Sequence, residues 1–289
     1  MIARSSLRGS YIWMAAPALA FAVAMIGFPF AYAIWLALSE VILGSPPRFI
    51  GLGNFQRLAT DPEFWNGLKL TLTLYALSIT AQMILGTWLG LLVARSRYAK
   101  GLVRVILVSP FMLPPVVIGM MAIVILDPSF GIANWLLAKI GLGPSLWLSD
   151  PSTVILTIAG LDTWQWTPFV ALIVMGGYLS LPSDVFEAVE IDGATPWQRF
   201  WYVTLPMLGP TLVTAAVLRS VDILRFFDVI YLTTQGGPGI SSTTLNILAY
   251  RRGFEFFDFG YASAIMVTLT AVVFGSVMVF ARLRRAVAW

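Results

Sequence analysis

The chain has 289 residues and a formal net charge of +4; 58% of it is hydrophobic, only 11% is charged, and its mean hydropathy is +0.84. Such a composition lies outside the range of soluble domains and makes lipid the solvent for most of the surface. Cys and His are both absent, which removes disulfides, thiol nucleophiles, histidine bases and the usual zinc ligands, and argues against an enzyme.

A membrane-crossing helix needs roughly 20 apolar residues. Charge-poor runs at about 11–38, 70–94, 105–126, 154–181, 205–228 and 261–281 meet that length, so the expected fold is an all-α polytopic membrane protein with six transmembrane helices in one domain, 1–289. The first run follows Arg4 and Arg8 and contains Ala18-Leu19-Ala20, the pattern of a cleavable signal peptide. Its apolar stretch exceeds the about 7–15 residues of such a peptide, so an uncleaved span is expected.

Between the first two runs, Pro46-Pro47 predicts a turn and Asp61-Pro62 a helix start, which together make the segment 39–69 an ordered loop. The third run contains Pro110, Pro114 and Pro115, each removing a helix hydrogen bond, and so predicts a kinked span. The segment 127–153 reads as a second outer loop rich in Gly, Pro and Trp, and Trp135, Trp147 and Trp164 fall where an aromatic belt would sit.

The basic residues sit at span ends rather than on one patch, so they report orientation and not nucleic-acid binding. Arg95, Arg97, Lys100 and Arg104 fill the short connection between the second and third runs without an acid, and Arg282, Arg284 and Arg285 follow the last. Short basic loops stay inside, which predicts cytoplasmic termini.

The segment 183–200 has helix punctuation of its own: Ser183 is a candidate cap for a short helix that Gly193 ends, and Thr195-Pro196-Trp197-Gln198 reads as a capping box with proline at the first helical position. Two short helices meeting at a glycine make an elbow exposing Glu187, Glu190 and Asp192; its plain alternative is a solvated surface loop. Further on, Glu187-Ala188-Val189, three residues, Gly193, nine residues and Val203-Thr204-Leu205-Pro206 hold their spacing across some twenty residues. This resembles the EAA loop of binding-protein-dependent ABC importer permeases, with Val189 and Val203 as conservative departures. Gly51-Leu52-Gly53-Asn54-Phe55, Asp192-Gly193-Ala194, Tyr231-Leu232-Thr233-Thr234-Gln235-Gly236-Gly237-Pro238 and Phe257-Asp258-Phe259-Gly260-Tyr261-Ala262-Ser263-Ala264 extend the likeness to the maltose-type carbohydrate branch and its first-permease type.

The resemblance implies a type I importer permease fold and a bacterial inner-membrane location. It also implies that the EAA loop forms a coupling helix seated on an ATP-binding subunit, with Glu187, Ala188, Gly193, Leu205 and Pro206 in the motif positions and Glu190 and Asp192 beside them. The expected partners are a second homologous permease, two ATP-binding cassette subunits, a periplasmic or lipid-anchored solute-binding protein and membrane lipid, with no nucleic acid. No stretch matches the phosphate-binding pattern G-x-x-x-x-G-K-[ST], so this chain is expected to hold no cofactor, ATP and Mg being bound by the partner ATPase subunits.

Ionisable groups inside a span are costly and mark candidate sites. Arg219, Asp222, Arg225 and Asp228 alternate in sign at steps of three, forming one helix stripe that reads either as a self-neutralising ladder or as a solute site. In the second reading Asp222 and Arg225, with Phe226 beside them, face a water-filled cavity in which a carboxylate accepts from hydroxyls and a guanidinium donates to them. Asp162, Gln165, Trp166 and Phe169 cluster around Pro168 in the fourth run, combining polar groups with an aromatic platform, though packing is the commoner role for such rings. By resemblance, family permeases place sugar contacts on these two spans. Two rivals remain from other classes: a secondary carrier, which usually shows inverted repeats, and an intramembrane enzyme, which would need a carboxylate pair. A same-family permease for a non-sugar solute shares the loop and differs only in the pore.

Overall fold

The computed structural model of the chain describes residues 4–96 and 101–287. Arg97 and Lys100, and the side chains of Arg4, Arg8, Arg104, Arg284 and Arg285, on which part of the orientation argument rests, lie outside the described residues. The described chain is predominantly helical with almost no strand, and it divides into two compact units, Met1–Asp61 with Ala249–Thr268, and Pro62–Leu248 with Leu269–Trp289. Among the described residues, three helices are long and apolar enough to cross a membrane by themselves: Met14–Ala37, Pro62–Arg95 and Phe259–Leu283. Three bent pairs of helices meet the same test when each is taken as one span, giving up to six.

In the first unit α1 (Arg4–Ala37) leads into a two-residue antiparallel pair, β1 (Ser39–Glu40) and β2 (Arg48–Phe49), and then α2 (Gly53–Thr60). Asn54 Nδ2 donates to the carbonyls of Ala37 and Ser39, both at 2.9 Å, and thereby satisfies backbone acceptors at the end of α1. Arg57 pairs with Asp258 at 2.6 Å and lies 4.0 Å over the Tyr261 ring, whose hydroxyl donates to Asp61. The sequence segments 51–55 and 257–264, read separately above, thus meet in one cluster.

The core of the second unit is the pairing of α3 (Pro62–Arg95) with α7 (Val154–Leu179). A Cβ at Gly86 would stand 2.6 Å from Val170 and one at Gly90 2.6 Å from the Ala171 carbonyl, so only glycine lets the two backbones approach this closely. The third run is broken as its prolines require: α4 (Leu102–Met112) and α5 (Pro115–Ile125) meet at a bend of 98°. Pro110 stays within α4, and Pro115 occupies the first position of α5.

The segment 127–153 is not a plain loop; it contains α6 (Ile132–Lys139). Asn134 fastens it, donating to the Pro128 and Ser145 carbonyls and accepting from the Ser145 N–H and the Trp147 indole N–H. Trp147 is therefore built into the loop rather than standing in a belt, while Trp135 and Trp164 are exposed. Asp150 accepts from the Ser152 hydroxyl and N–H just before α7, and these bonds hold its carboxyl below the usual range.

Beyond α7 come α8 (Ser183–Ile191), α9 (Pro196–Arg199), a π-helical turn Phe200–Thr204, α10 (Leu205–Met207), α11 (Gly209–Leu224) and α12 (Asp228–Thr233). The chain continues through α13 (Leu245–Tyr250) and a second π turn, Arg251–Glu255, to α14 (Phe259–Val287).

Candidate functional site

The stripe expected on one helix is divided. α11 ends at Leu224, Arg225 is its C-cap residue, and Asp228 opens α12. Asn246 Nδ2 donates to the Leu224 carbonyl at 2.9 Å, giving a freed helix acceptor a partner where the ladder stops. Asp222 consequently pairs with Arg219 at 3.3 Å and not with Arg225; Asp222, Arg225 and Asp228 are exposed.

Arg219 turns inward and is 1% exposed. Its Nε donates to Gln82 Oε1 at 2.8 Å, its Nη2 donates to Asp162 Oδ1 at 3.2 Å, and its guanidinium carbon lies 4.2 Å from the centroid of the Trp166 ring. Gln82 Nε2 in turn donates to Asp162 Oδ2 at 2.7 Å. One cation, one anion and one amide thus close a network that joins α3, α7 and α11. A buried charge is tolerated only when paired and hydrogen-bonded, and here the partners are supplied from three helices at once. Beside it Tyr75 and Ser220 share a hydroxyl hydrogen bond of 2.9 Å.

The other candidates in the fourth run divide by burial. Gln165 is buried and donates from Nε2 to the Leu113 carbonyl at 3.1 Å, satisfying an acceptor freed by the break before α5. Trp166 and Phe169 are half-buried and pack with Phe111 of α4, ring centroids 5.2–5.9 Å apart. Phe226 lies against the apolar cluster of Leu74, Ile158 and Ile230. The structure therefore brings Asp162, Trp166 and Asp222 to one cation, while Gln165 serves the kink and Arg225 stands apart from both. Gln82 was missing from the sequence candidates, and Arg219 was read only as a member of the stripe, without its partners Gln82 and Asp162; a lone amide in the apolar run 70–94 was the available signal for the first.

The elbow is the second site. α8 turns 75° from α7, and Gly193 follows it at φ +71°, its N–H reaching the Glu190 carbonyl while the N–H of Ala194 reaches that of Val189. This is the left-handed helix ending that glycine accepts without strain. Ser183 is not the cap: Pro182 occupies that position in extended conformation, and Ser183 is the first helical residue, its hydroxyl on Asp184. The capping box does form, with Thr195 Oγ1 accepting from the Gln198 N–H and Gln198 Oε1 accepting from the Thr195 N–H. Arg199 pairs with Glu190 at 2.5 Å across the bend and fixes α9 against α8. Glu187, Ala188, Glu190 and Asp192 are exposed, and Leu205 and Pro206 are half-buried. A pocket of about 490 Å³ at the elbow is lined by Arg95, Tyr178, Phe186, Glu187, Glu190 and Arg199.

Comparison with known proteins finds the same architecture and the same family. Residues 82–287 match the family model described as binding-protein-dependent transport system inner membrane component. The chain is 32% identical to a trehalose/maltose transport system permease protein of Thermococcus litoralis over 94% of its own length and 92% of the relative's. It is 36% identical to a trehalose transport system permease protein of Mycobacterium tuberculosis over 93% of its own length and 85% of the relative's. A crystal structure of a bacterial alginate ABC transporter with a pentasaccharide-bound periplasmic protein contains a chain of the same fold, with TM-score 0.84, 23% identity and 98% coverage of both. A multi-pass helical chain with a glycine-centred elbow, matched across the family model and nearly the whole of its relatives, belongs to the permease family of binding-protein-dependent ABC importers.

Proposed function

We propose that this permease conducts a sugar or sugar derivative, pairing with a second homologous permease to enclose the path and coupling through residues 183–206 to separate ATP-binding subunits that hold ATP and Mg. A periplasmic or lipid-anchored receptor delivers the solute, and both termini are cytoplasmic. The observation that carries the reading is the elbow: a glycine ending at φ +71°, a closed capping box and an ion pair across the bend make a rigid unit rather than a loose loop. A rigid unit continuous with the helices on either side turns a push from a neighbouring subunit into helix tilt. Glu187, Ala188, Glu190, Asp192 and Gly193 form its exposed face, with Leu205 and Pro206 at its root.

On the solute path, exposed Asp222 offers a hydroxyl acceptor and exposed Arg225 donors, with Trp166 and Phe169 as ring platform and Phe226 at the break. Asp162 and Gln165 serve behind them, the first as counter-ion to Arg219 and the second at the α4–α5 bend. The names of the two relatives, trehalose/maltose and trehalose permeases, favour a neutral sugar.

Gly193→Pro and Glu187→Lys are expected to abolish transport while leaving the protein at normal levels in the membrane; normal uptake by both variants overturns the coupling role. Cysteines placed at Ser145 and Thr195 of this Cys-free chain should react with an impermeant reagent from outside and inside respectively, and the reverse pattern overturns the orientation. A thermal-shift screen of the cognate receptor should rank sugars first; stabilisation by an amino acid or phosphate instead would establish the non-sugar alternative.

A further inference from the structure

Arg219 is the point at which the buried network reaches the exposed surface. Its three nitrogens are directed to three different acceptors: Nε to Gln82, Nη2 to Asp162, and Nη1 to Asp222 Oδ2. Asp162 already balances its charge inside the bundle, so Asp222 is the surplus anion, and its side chain is 47% exposed. Asp222 Oδ1 has no hydrogen-bond partner among the described residues. The residue also sits in the last turn of α11, where the helix dipole disfavours a carboxylate, so its place is not explained by the stability of that helix. Trp166 covers the face of the same guanidinium.

We infer that Arg219 is a positioning residue, holding the Asp222 carboxylate and the Trp166 ring in fixed register as the hydroxyl-accepting and ring-facing parts of one solute contact; this rests on the reading of those two residues as solute contacts. The planar guanidinium fixes the angles between its donors, and gripping it from behind with Gln82 and Asp162 transfers that rigidity to the two groups in front. A lysine keeps the charge and loses the fork. Asp222 then rotates freely on a helix end, and the ring loses its flat cationic neighbour.

The test uses the complete importer in proteoliposomes with trehalose-loaded receptor, measuring trehalose taken up per ATP hydrolysed. Arg219→Lys and Asp222→Asn are each expected to lower that ratio about tenfold with the complex assembled. The part of the arginine's effect that runs through the carboxylate disappears with it, so the double variant should lose clearly less than the product of the two single losses. A residue that only stabilises the fold would lower the amount of complex and its ATP hydrolysis in proportion, leaving the ratio unchanged, and that result overturns the proposal. Equal independent losses that multiply in the double variant overturn it as well. Should Arg219→Lys fail to assemble, Gln82→Asn withdraws support from Nε without touching a charge. It should lower the ratio about threefold, and by less once Asp222 is replaced; no change overturns the proposal. Removing the neighbouring hydroxyl pair with Tyr75→Phe and Ser220→Ala should leave the ratio at the wild-type value. If Asp222→Asn itself has no effect, the solute-contact reading fails; if it lowers the ratio and Arg219→Lys does not, positioning alone fails.

Discussion

Of the acid–base pairs that tie segments of this chain together, one lies inside the helix bundle and one on the elbow, and the two act differently. Arg219 and Asp162 stand 3.2 Å apart with side chains 1% and 0% exposed, whereas Arg199 and Glu190 stand 2.5 Å apart at 23% and 66%. The shorter contact is the weaker constraint. On the elbow, water and salt screen both charges, and the ion pair adds little beyond holding a geometry that the capping box and Gly193 already favour. In the bundle neither charge can be solvated if its partner is lost, so the pair enforces the arrangement of three helices through the penalty of breaking it. Distance alone therefore ranks the two in the wrong order, and burial puts them right.

The largest expected effect comes from breaking the buried pair on one side. Asp162→Ala should destabilise the assembled protein by about 3–5 kcal/mol, read as loss of complex from the membrane, because Arg219 loses its buried counter-ion and keeps only the half-exposed Asp222. Replacing both partners, Asp162→Leu with Arg219→Met, should recover most of that assembly, and failure to recover it would mean that the network specifies the fold beyond its own charge balance. Smaller is the cost of adding a side chain at the elbow's turn: Gly193→Ala must adopt φ +71° with a Cβ, about 1 kcal/mol or somewhat more, seen as faster hydrogen exchange in α8. The absence of any atom within 4 Å of that Cβ position makes the cost conformational and not steric, so Asn should be tolerated better than Ala. Thr195→Ala removes the capping box and should loosen α9 by about 1 kcal/mol. Least of all, Glu190→Gln should cost roughly 0.2–1 kcal/mol, and the difference should fade as salt is raised. If it instead matched Asp162→Ala, the distinction between the two pairs would collapse.

These sites were unequally legible in the sequence. The long helices were visible because a span must be continuously apolar, and the elbow because its turn and cap depend on residues within three or four positions of one another. The break after Leu224 was not visible: Arg225, Phe226 and Phe227 include no glycine or proline, and the freed carbonyl is met by Asn246, more than twenty residues away. Gln82 was hidden for the same reason, since its partners lie 80 and 137 positions further along the chain. α6 escaped notice because a two-turn helix between Gly-rich flanks leaves no apolar period long enough to recognise. Pairing within the charge stripe was assigned by spacing, and spacing ignores the inward turn by which Arg219 reaches Asp162.

The cluster around Asn54 and Gly260 carries a consequence for inheritance. A Cβ at residue 260 would stand 2.2 Å from the Ser39 carbonyl, the same oxygen that Asn54 binds. The segment before the second long helix and the segment opening the last one are therefore a single lock with its halves about two hundred residues apart in sequence. Substitutions at 54 and 260 should be passed on jointly among descendants of this chain. A hybrid that takes residues 1–61 from one relative will keep the lock closed only if residues 257–264 come from that same relative.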